Sequence, residues 1–210
     1  MPNRNWLAFE AALLFLLLPM LVATLAVRGL IFGLLWTAAL YCYLQLRLDP
    51  SFDDSRLWGF VFPQQWRLLL LRFVLAALAI SVFVVLLDST KLFSFVRTRP
   101  RLWAVVMLLY PILSVIPQGL VYRVFFIHRY RDWLSTPRLR ILLSAIAFSF
   151  AHIVFRNPWA ILFTFVGGLM FASTYLKTRS NLAASVEHAL YGCFVFTIGI
   201  GQYFYAGPIR

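Results

Sequence analysis

Pro117-Gln118-Gly119-Leu120-Val121-Tyr122-Arg123-Val124-Phe125-Phe126-Ile127-His128-Arg129-Tyr130 places an arginine, Arg123, inside a long apolar run. A charge at membrane depth is costly unless it is paired or wetted, so it marks a functional site by default. Arg123 is therefore expected to face a polar interior, and other helices are expected to supply its partners.

The composition fits that setting. The 210 residues are 62% hydrophobic and 12% charged, whereas soluble domains run at about half apolar and about a quarter charged. The chain reads as all-α, a polytopic membrane helix bundle forming a single integral membrane domain over residues 1–210. Its partners are the lipid bilayer and whatever the membrane presents. The net charge of +12 sits in short basic runs between apolar segments. Such runs are topology signals and headgroup contacts, and they argue against nucleic acid as a partner. Cys42 and Cys193 both fall in membrane helices. They indicate neither a disulfide framework nor a thiolate metal site.

In chain order, about seven (six to eight) transmembrane helices are expected. Trp6 to Val27 is long enough to span a bilayer. It is too long for a typical secretory h-region, so it reads as a retained helix, with Glu10 at the interface. Leu30 to Leu46 follows. Arg47 to Trp66 is a mixed loop whose Leu57-Trp58-Gly59-Phe60-Val61-Phe62 piece suits the interface. Leu68 to Leu87 is the third helix, with Arg72 one turn inside it and able to snorkel to the headgroups. Lys91 to Arg101 reads as a surface segment. The fourth helix begins at Trp103, carries the opening stretch, and is expected to kink at Pro111 and Pro117, which each lack a backbone donor. Thr136-Pro137 and Asn157-Pro158 read as a cap followed by proline at the first helical position. They open helices running to about Phe155 and about Leu176. Leu182 to about Phe204 is the seventh. The side holding the N-terminus and the loops at 47–67, 129–140 and 177–179 carries ten basic residues against seven opposite. That bias places the N-terminus in the cytoplasm.

Few residues at membrane depth carry chemistry: Arg123, His152, Glu187 and His188, with Gln118, Tyr122 and Tyr191 beside them. Residues four apart share a helical face, so Gly119 stacks with Arg123, Phe148 with His152, and His188 with Gly192. Glu187 points about 100° away from His188. His152 and His188 on different helices could hold one divalent metal such as zinc. Glu187 as a third ligand would leave a position open for water. Each residue also has a plainer reading. A lone buried histidine is commonly a hydrogen-bonded structural group, and Glu187 could simply neutralise Arg123. Ser185, Ala189, Gly192 and Gly199 form one small-residue stripe, and Gly168 with Ala172 another, as close helix packing requires.

From about Leu102 onward, with a core at about 102–205, the chain resembles the CAAX prenyl protease and bacteriocin-processing (CPBP) family of intramembrane proteases, also called the Abi family. That family carries Glu-Glu-x-x-x-Arg, Phe-x-x-x-His and His-x-x-x-Asn/Asp on separate helices. The first is matched by Gln118-Gly119-Leu120-Val121-Tyr122-Arg123, the second by Phe148-Ser149-Phe150-Ala151-His152. Only the histidine of the third is matched, in His188-Ala189-Leu190-Tyr191-Gly192. The resemblance implies that Arg123, His152 and His188 are retained site residues. The two glutamate positions hold Gln118 and Gly119, and the Asn position holds Gly192. In the family the glutamates are taken to activate water. The histidines and the Asn/Asp are assigned to a metal or to the oxyanion. Glutamine cannot take a proton from water and glycine has no side chain. Glu187 is then the remaining acid near the site, as replacement base, metal ligand or counter-charge.

The resemblance implies an intramembrane endopeptidase acting on a membrane-associated peptide or protein, with CAAX-type C-terminal processing among its forms, in a bacterial inner membrane. In this reading Glu187, Arg123, Gln118 and Tyr122 are catalytic. His152, His188 and Glu187 are metal ligands, and Gly119, Phe148, Tyr191 and Gly192 line the binding site. Two alternatives share these residues. One is a protease-like fold that binds a peptide partner without cutting it. The other is a small transporter with a buried Arg/Glu/His path.

Overall fold

A computed structural model describes residues 3–25, 28–59 and 63–204. Among the described residues there is no strand, and seven long helices carry the bundle. They are α1 (Arg4–Leu25), α2 (Ile31–Arg47), α3 (Pro63–Asp88), α4 (Pro100–Arg129), α5 (Pro137–Ala151), α6 (Pro158–Thr178) and α7 (Asn181–Ile198). Five of these segments (α1, α3, α4, α5 with the turn after it, and α6) are long and apolar enough to cross a membrane. The chain is an integral membrane protein. α2 has only 17 residues, and α7 carries Asn181, Glu187 and His188; both pack among the other five.

The helix starts are set by local chemistry. Thr136 Oγ1 accepts from the Leu139 amide at 3.2 Å and Pro137 follows it. Asn157 Oδ1 accepts from the Trp159 amide at 2.9 Å ahead of α6. Each cap satisfies an amide that the first helical turn leaves open. α7 starts on Ser180 in the same way and ends at Ile198, short of the expected Phe204. Gly199 closes it with φ 111°, and a Cβ there would collide with the Lys91 carbonyl. Gly199 is therefore a helix terminator pressed against another backbone, not a member of a packing stripe. The Gly168 stripe does serve packing: a Cβ on Gly168 would lie 2.9 Å from Ala145 Cα of α5.

The expected break in α4 takes a defined form. Two wide π-helical turns interrupt it, Pro111–Val115 and Leu120–Phe125. Pro111 has no amide to give the ladder, and the Ile116 amide reaches back five residues to the Pro111 carbonyl. The second wide turn carries Arg123. Such turns recur at functional sites because they re-aim a side chain inside a continuous helix.

Two charges are enclosed by the protein. Glu10 is 3% exposed. Its carboxylate accepts from Arg129 Nε at 2.9 Å and Nη2 at 3.0 Å, from the Tyr41 hydroxyl at 2.5 Å and from the Tyr130 hydroxyl at 3.1 Å. Four hydrogen bonds, two of them a bidentate ion pair with Arg129, compensate its loss of water, and they join the start of α1 to the end of α4. Arg72 does not snorkel outward. It turns inward, donating to Thr174 Oγ1 at 3.1 Å and lying 3.5 Å from Glu187 Oε1.

The main core lies where α1, α2, α4, α5, α6 and α7 meet, around Phe15, Cys42, Phe125, Phe148 and Tyr175. α3 is peripheral and presents leucines outward, Leu86 at 79% exposure, as a lipid-facing helix does. Ser55–Trp58 forms a short helix with Trp58 exposed. Phe60, Val61 and Phe62, also expected at the interface, lie outside the described residues. The 91–101 segment folds into short turns, clipped to α7 by the Phe93 amide donating to the Ile198 carbonyl at 3.1 Å.

Candidate functional site

The ring of Phe148 is the centre of the site. It meets His152 at 4.7 Å, His188 at 5.3 Å, Tyr122 at 5.7 Å and Phe171 at 6.2 Å between centroids, each edge-on. α4, α5, α6 and α7 thus converge on one aromatic ring, which brings the two histidines into one neighbourhood.

His152 sits at the C-terminal end of α5. Its Nδ1 lies 2.7 Å from the Phe148 carbonyl oxygen. A carbonyl only accepts, so Nδ1 carries the proton and Nε2 keeps its lone pair. His152 also lines a cleft between α1, α2, α4 and the end of α5. The cleft walls include Leu14, Leu18, Ile31 and Leu34, and its polar side chains are Gln118, Tyr122 and His152. Gln118 Nε2 donates to Ser114 Oγ at 3.0 Å, while its Oε1 has no hydrogen-bond partner among the described residues. The cleft is therefore apolar, with an amide oxygen and an imidazole available in its lining.

Arg123 lies on a different face of α4. It is 2% exposed. Its Nε donates to Asn181 Oδ1 at 3.4 Å and its Nη2 to Ser185 Oγ at 3.2 Å, with the guanidinium 5.9 Å from the Phe171 ring centre. Both acceptors are neutral. The expected pairing with Glu187 is absent: Glu187, 0% exposed, has its ion pair with Arg72. Position 119 explains how the guanidinium fits. A Cβ on Gly119 would collide with Arg123 Nη2 and approach Asn181 Oδ1 to 2.8 Å. The arginine head thus fills the space that a side chain at 119 would take.

His188 stacks on Phe171 at 4.6 Å and 20°, and its Nε2 is 3.1 Å from the Tyr110 hydroxyl. Its Nδ1 is buried without a hydrogen-bond partner among the described residues. Gly192 lies one turn on, where a Cβ would collide with the Tyr110 ring and hydroxyl. Tyr191 packs edge-on against Phe73 at 5.4 Å and meets Phe171, the ring under His188, at 6.0 Å.

The expected metal set is incomplete. Among the described residues no three His, Cys, Asp or Glu side chains are grouped to hold an ion. Glu187 faces Arg72 and Thr174, leaving two imidazoles where a catalytic zinc takes three protein ligands. The residues present do not fit a metal, so the chemistry of the site is derived from its own side chains.

Residues 100–194 match a family model described as Type II CAAX prenyl endopeptidase Rce1-like. Over this segment the chain is similar to that family. No curated protein and no solved structure matches the chain. The Rce1-like segment runs from the start of α4 to just past Gly192, so it contains the Phe148 cluster, Arg123 and both histidines. It leaves out α1 and α2, although their side chains wall the cleft beside His152.

Several contacts of these residues were not expected from the sequence. Asn181 and Ser185 hold Arg123, Tyr110 touches His188, and Arg72 pairs with Glu187. The spacing of Asn181, Ser185 and His188 along one face of α7 was a usable signal, since positions i, i+4 and i+7 align. Tyr110 gave no such signal.

Proposed function

We propose that the chain is an intramembrane endopeptidase that hydrolyses a peptide bond of a membrane-associated peptide or protein, with His152 as general base. The observation that carries this reading is the 2.7 Å contact between His152 Nδ1 and the Phe148 carbonyl. It leaves the Nε2 lone pair free on an imidazole that lines the cleft.

In this reading an apolar segment of the substrate occupies the cleft between α1, α2, α4 and α5. Gln118 Oε1 accepts a hydrogen bond from the attacking water and orients it. His152 Nε2 takes the water proton as the oxygen bonds to the scissile carbonyl carbon. The carbonyl oxygen becomes an oxyanion, and His188, which meets the same Phe148 ring as His152, is its donor. The protonated His152 then gives its proton to the departing amide nitrogen, the C–N bond breaks and a carboxylate forms. Glu187 takes no part, because it is held by Arg72. The N-terminal ends of α1 and α7 and the C-terminal end of α4 face the cytoplasm, on the side with more basic residues.

A second reading, binding without cleavage, draws on position 119. There the Arg123 guanidinium stands where a carboxylate would project.

The test uses purified full-length protein in detergent and a lipid-anchored peptide in ¹⁸O-labelled water. Endopeptidase action gives two fragments with the label in the new carboxylate. An intact peptide that remains bound to the protein supports the second reading instead.

A further inference from the structure

We propose that Tyr110 is a positioning residue of the site: it fixes the tautomer of His188 and stands in for the side chain missing at position 192. This rests on the endopeptidase reading above.

The geometry is specific. A Cβ built on Gly192 would overlap Cε1 and the hydroxyl oxygen of Tyr110. The phenol head from α4 therefore occupies the space into which residue 192 of α7 would project. From there its hydroxyl reaches His188 Nε2 at 3.1 Å, with the two rings nearly perpendicular at 86°. Phe196 packs edge-on against the Tyr110 ring at 5.5 Å and holds it in place. Phe171 and Phe148 cover His188 by stacking and edge contact.

Either tautomer leaves one buried donor unmet, so the strength of the shared hydrogen bond selects between them: a phenol O–H is a better donor than an imidazole N–H, and an imidazole nitrogen a better acceptor than a phenol oxygen. If His188 Nε2 donated, the phenol oxygen would accept and its own hydrogen would need another acceptor. Tyr110 makes no second hydrogen bond among the described residues, and His188 Nδ1 would remain a bare lone pair. If instead the Tyr110 O–H donates to Nε2, the hydroxyl hydrogen is satisfied and the proton lies on Nδ1. One buried N–H is then left without an acceptor. An unmet buried donor is costly. It is also the kind of group that a developing oxyanion engages, since it is already desolvated before reaction. Tyr110 thereby turns His188 into a donor, and the glycine at 192 is what makes room for it.

The signature position and Tyr110 are alternatives in space. Gly192→Asn in the native background forces the new side chain against the phenol ring. Tyr110→Ala opens that space, so Tyr110→Ala with Gly192→Asn supplies a polar group at the same place from the other helix.

The experiment uses the full chain in detergent, labelled with ¹⁵N-histidine, with the His188 signals assigned by His188→Gln. The native protein is expected to show His188 protonated on Nδ1, and Tyr110→Phe, which keeps the ring, to shift it toward the Nε2–H form. In the peptide assay Tyr110→Phe is expected to lower kcat roughly 10–100-fold with little change in KM, by analogy with the partners that orient metal-bound imidazoles. Tyr110→Ala/Gly192→Asn is expected to recover activity over Tyr110→Ala alone. An unchanged ¹⁵N pattern in Tyr110→Phe overturns the proposal, as does an unchanged kcat in a native chain that cleaves. If the native chain cleaves nothing, the endopeptidase reading fails, while the ¹⁵N pattern still decides whether Tyr110 sets the His188 tautomer.

Discussion

His152 Nδ1 and the carbonyl oxygen of Phe148 lie 2.7 Å apart, within the last turn of α5. The same Phe148 ring meets His188 of α7 edge-on. One residue therefore fixes the tautomer of the first histidine through its backbone and locates the second through its side chain. The phenylalanine of the Phe-x-x-x-His pattern thus contacts both histidines, one through its backbone and the other through its ring.

Arg123 is a buried cation with two neutral acceptors. Its energetics should therefore be asymmetric. Asn181→Leu strands part of the guanidinium without a partner and is expected to destabilise the protein by about 1–3 kcal/mol. Arg123→Met also leaves Asn181 and Ser185 unmatched but removes the charge. Combining it with Asn181→Leu should cost less than the two single changes added together. Thermal unfolding in detergent of the two single variants and the double variant measures this coupling. Additive losses would show that the contact is energetically idle.

The Glu10–Arg129 pair joins the first turns of α1 to the last turn of α4. Removing one partner of a buried pair leaves the other uncompensated, at about 3–5 kcal/mol. Glu10→Ala is therefore expected to lower the melting temperature sharply. It is also expected to raise the KM for a peptide that occupies the cleft, because α1 supplies Leu14 and Leu18 to its wall. Proteolysis at the N-terminal end of α1 should accelerate in the same variant. A native-like melt in Glu10→Ala would show that the Glu10 contacts add little to the hold on α1.

Asp49, in the loop after α2, predicts a pH dependence. Burial pushes its carboxyl up, but hydrogen bonds from Ser51, His128 and Arg131 outweigh burial and hold it well below the usual carboxylate range. The contacts are at 2.6 Å from Ser51 Oγ, 2.9 Å from His128 Nε2 and 3.3 Å from Arg131 Nη1. A carboxyl depressed in the folded state adds stability that is fully present above its unfolded value of about 4. That stability is lost as pH falls further toward the folded value. Stability measured between roughly pH 5 and pH 2 should therefore fall. Asp49→Asn should flatten part of that slope and cost about 1 kcal/mol near neutrality.

The helices were legible because long apolar runs, Thr136-Pro137 and Asn157-Pro158 are local signals. Arg123, His152 and His188 stood out because polar groups are rare at membrane depth. Partner choice was less legible. Glu10 and Arg129 are 119 residues apart in sequence, so nothing local revealed that Glu10 is enclosed by partners. Arg72 looked like a snorkelling residue for the same reason. In helices that are apolar on nearly every side, no hydrophobic face reveals which neighbour will pack where. The arrangement of Arg123 with Asn181, Glu187 with Arg72 and Tyr110 with Gly192 depends on that packing. Gly119 and Gly192 read as absences in the signature sequences. In the folded chain each is filled by a side chain from elsewhere, Arg123 in one case and Tyr110 in the other.

The central claim is that His152 takes the proton from water. The measurement that tests it most directly is kcat for cleavage of a lipid-anchored peptide by the native chain and by His152→Ala, with unfolding followed in parallel. Loss of a general base costs about 10²–10⁴-fold. A fall of that size in a variant that melts like the native protein is the predicted result. Cleavage by His152→Ala at the native rate would contradict the account.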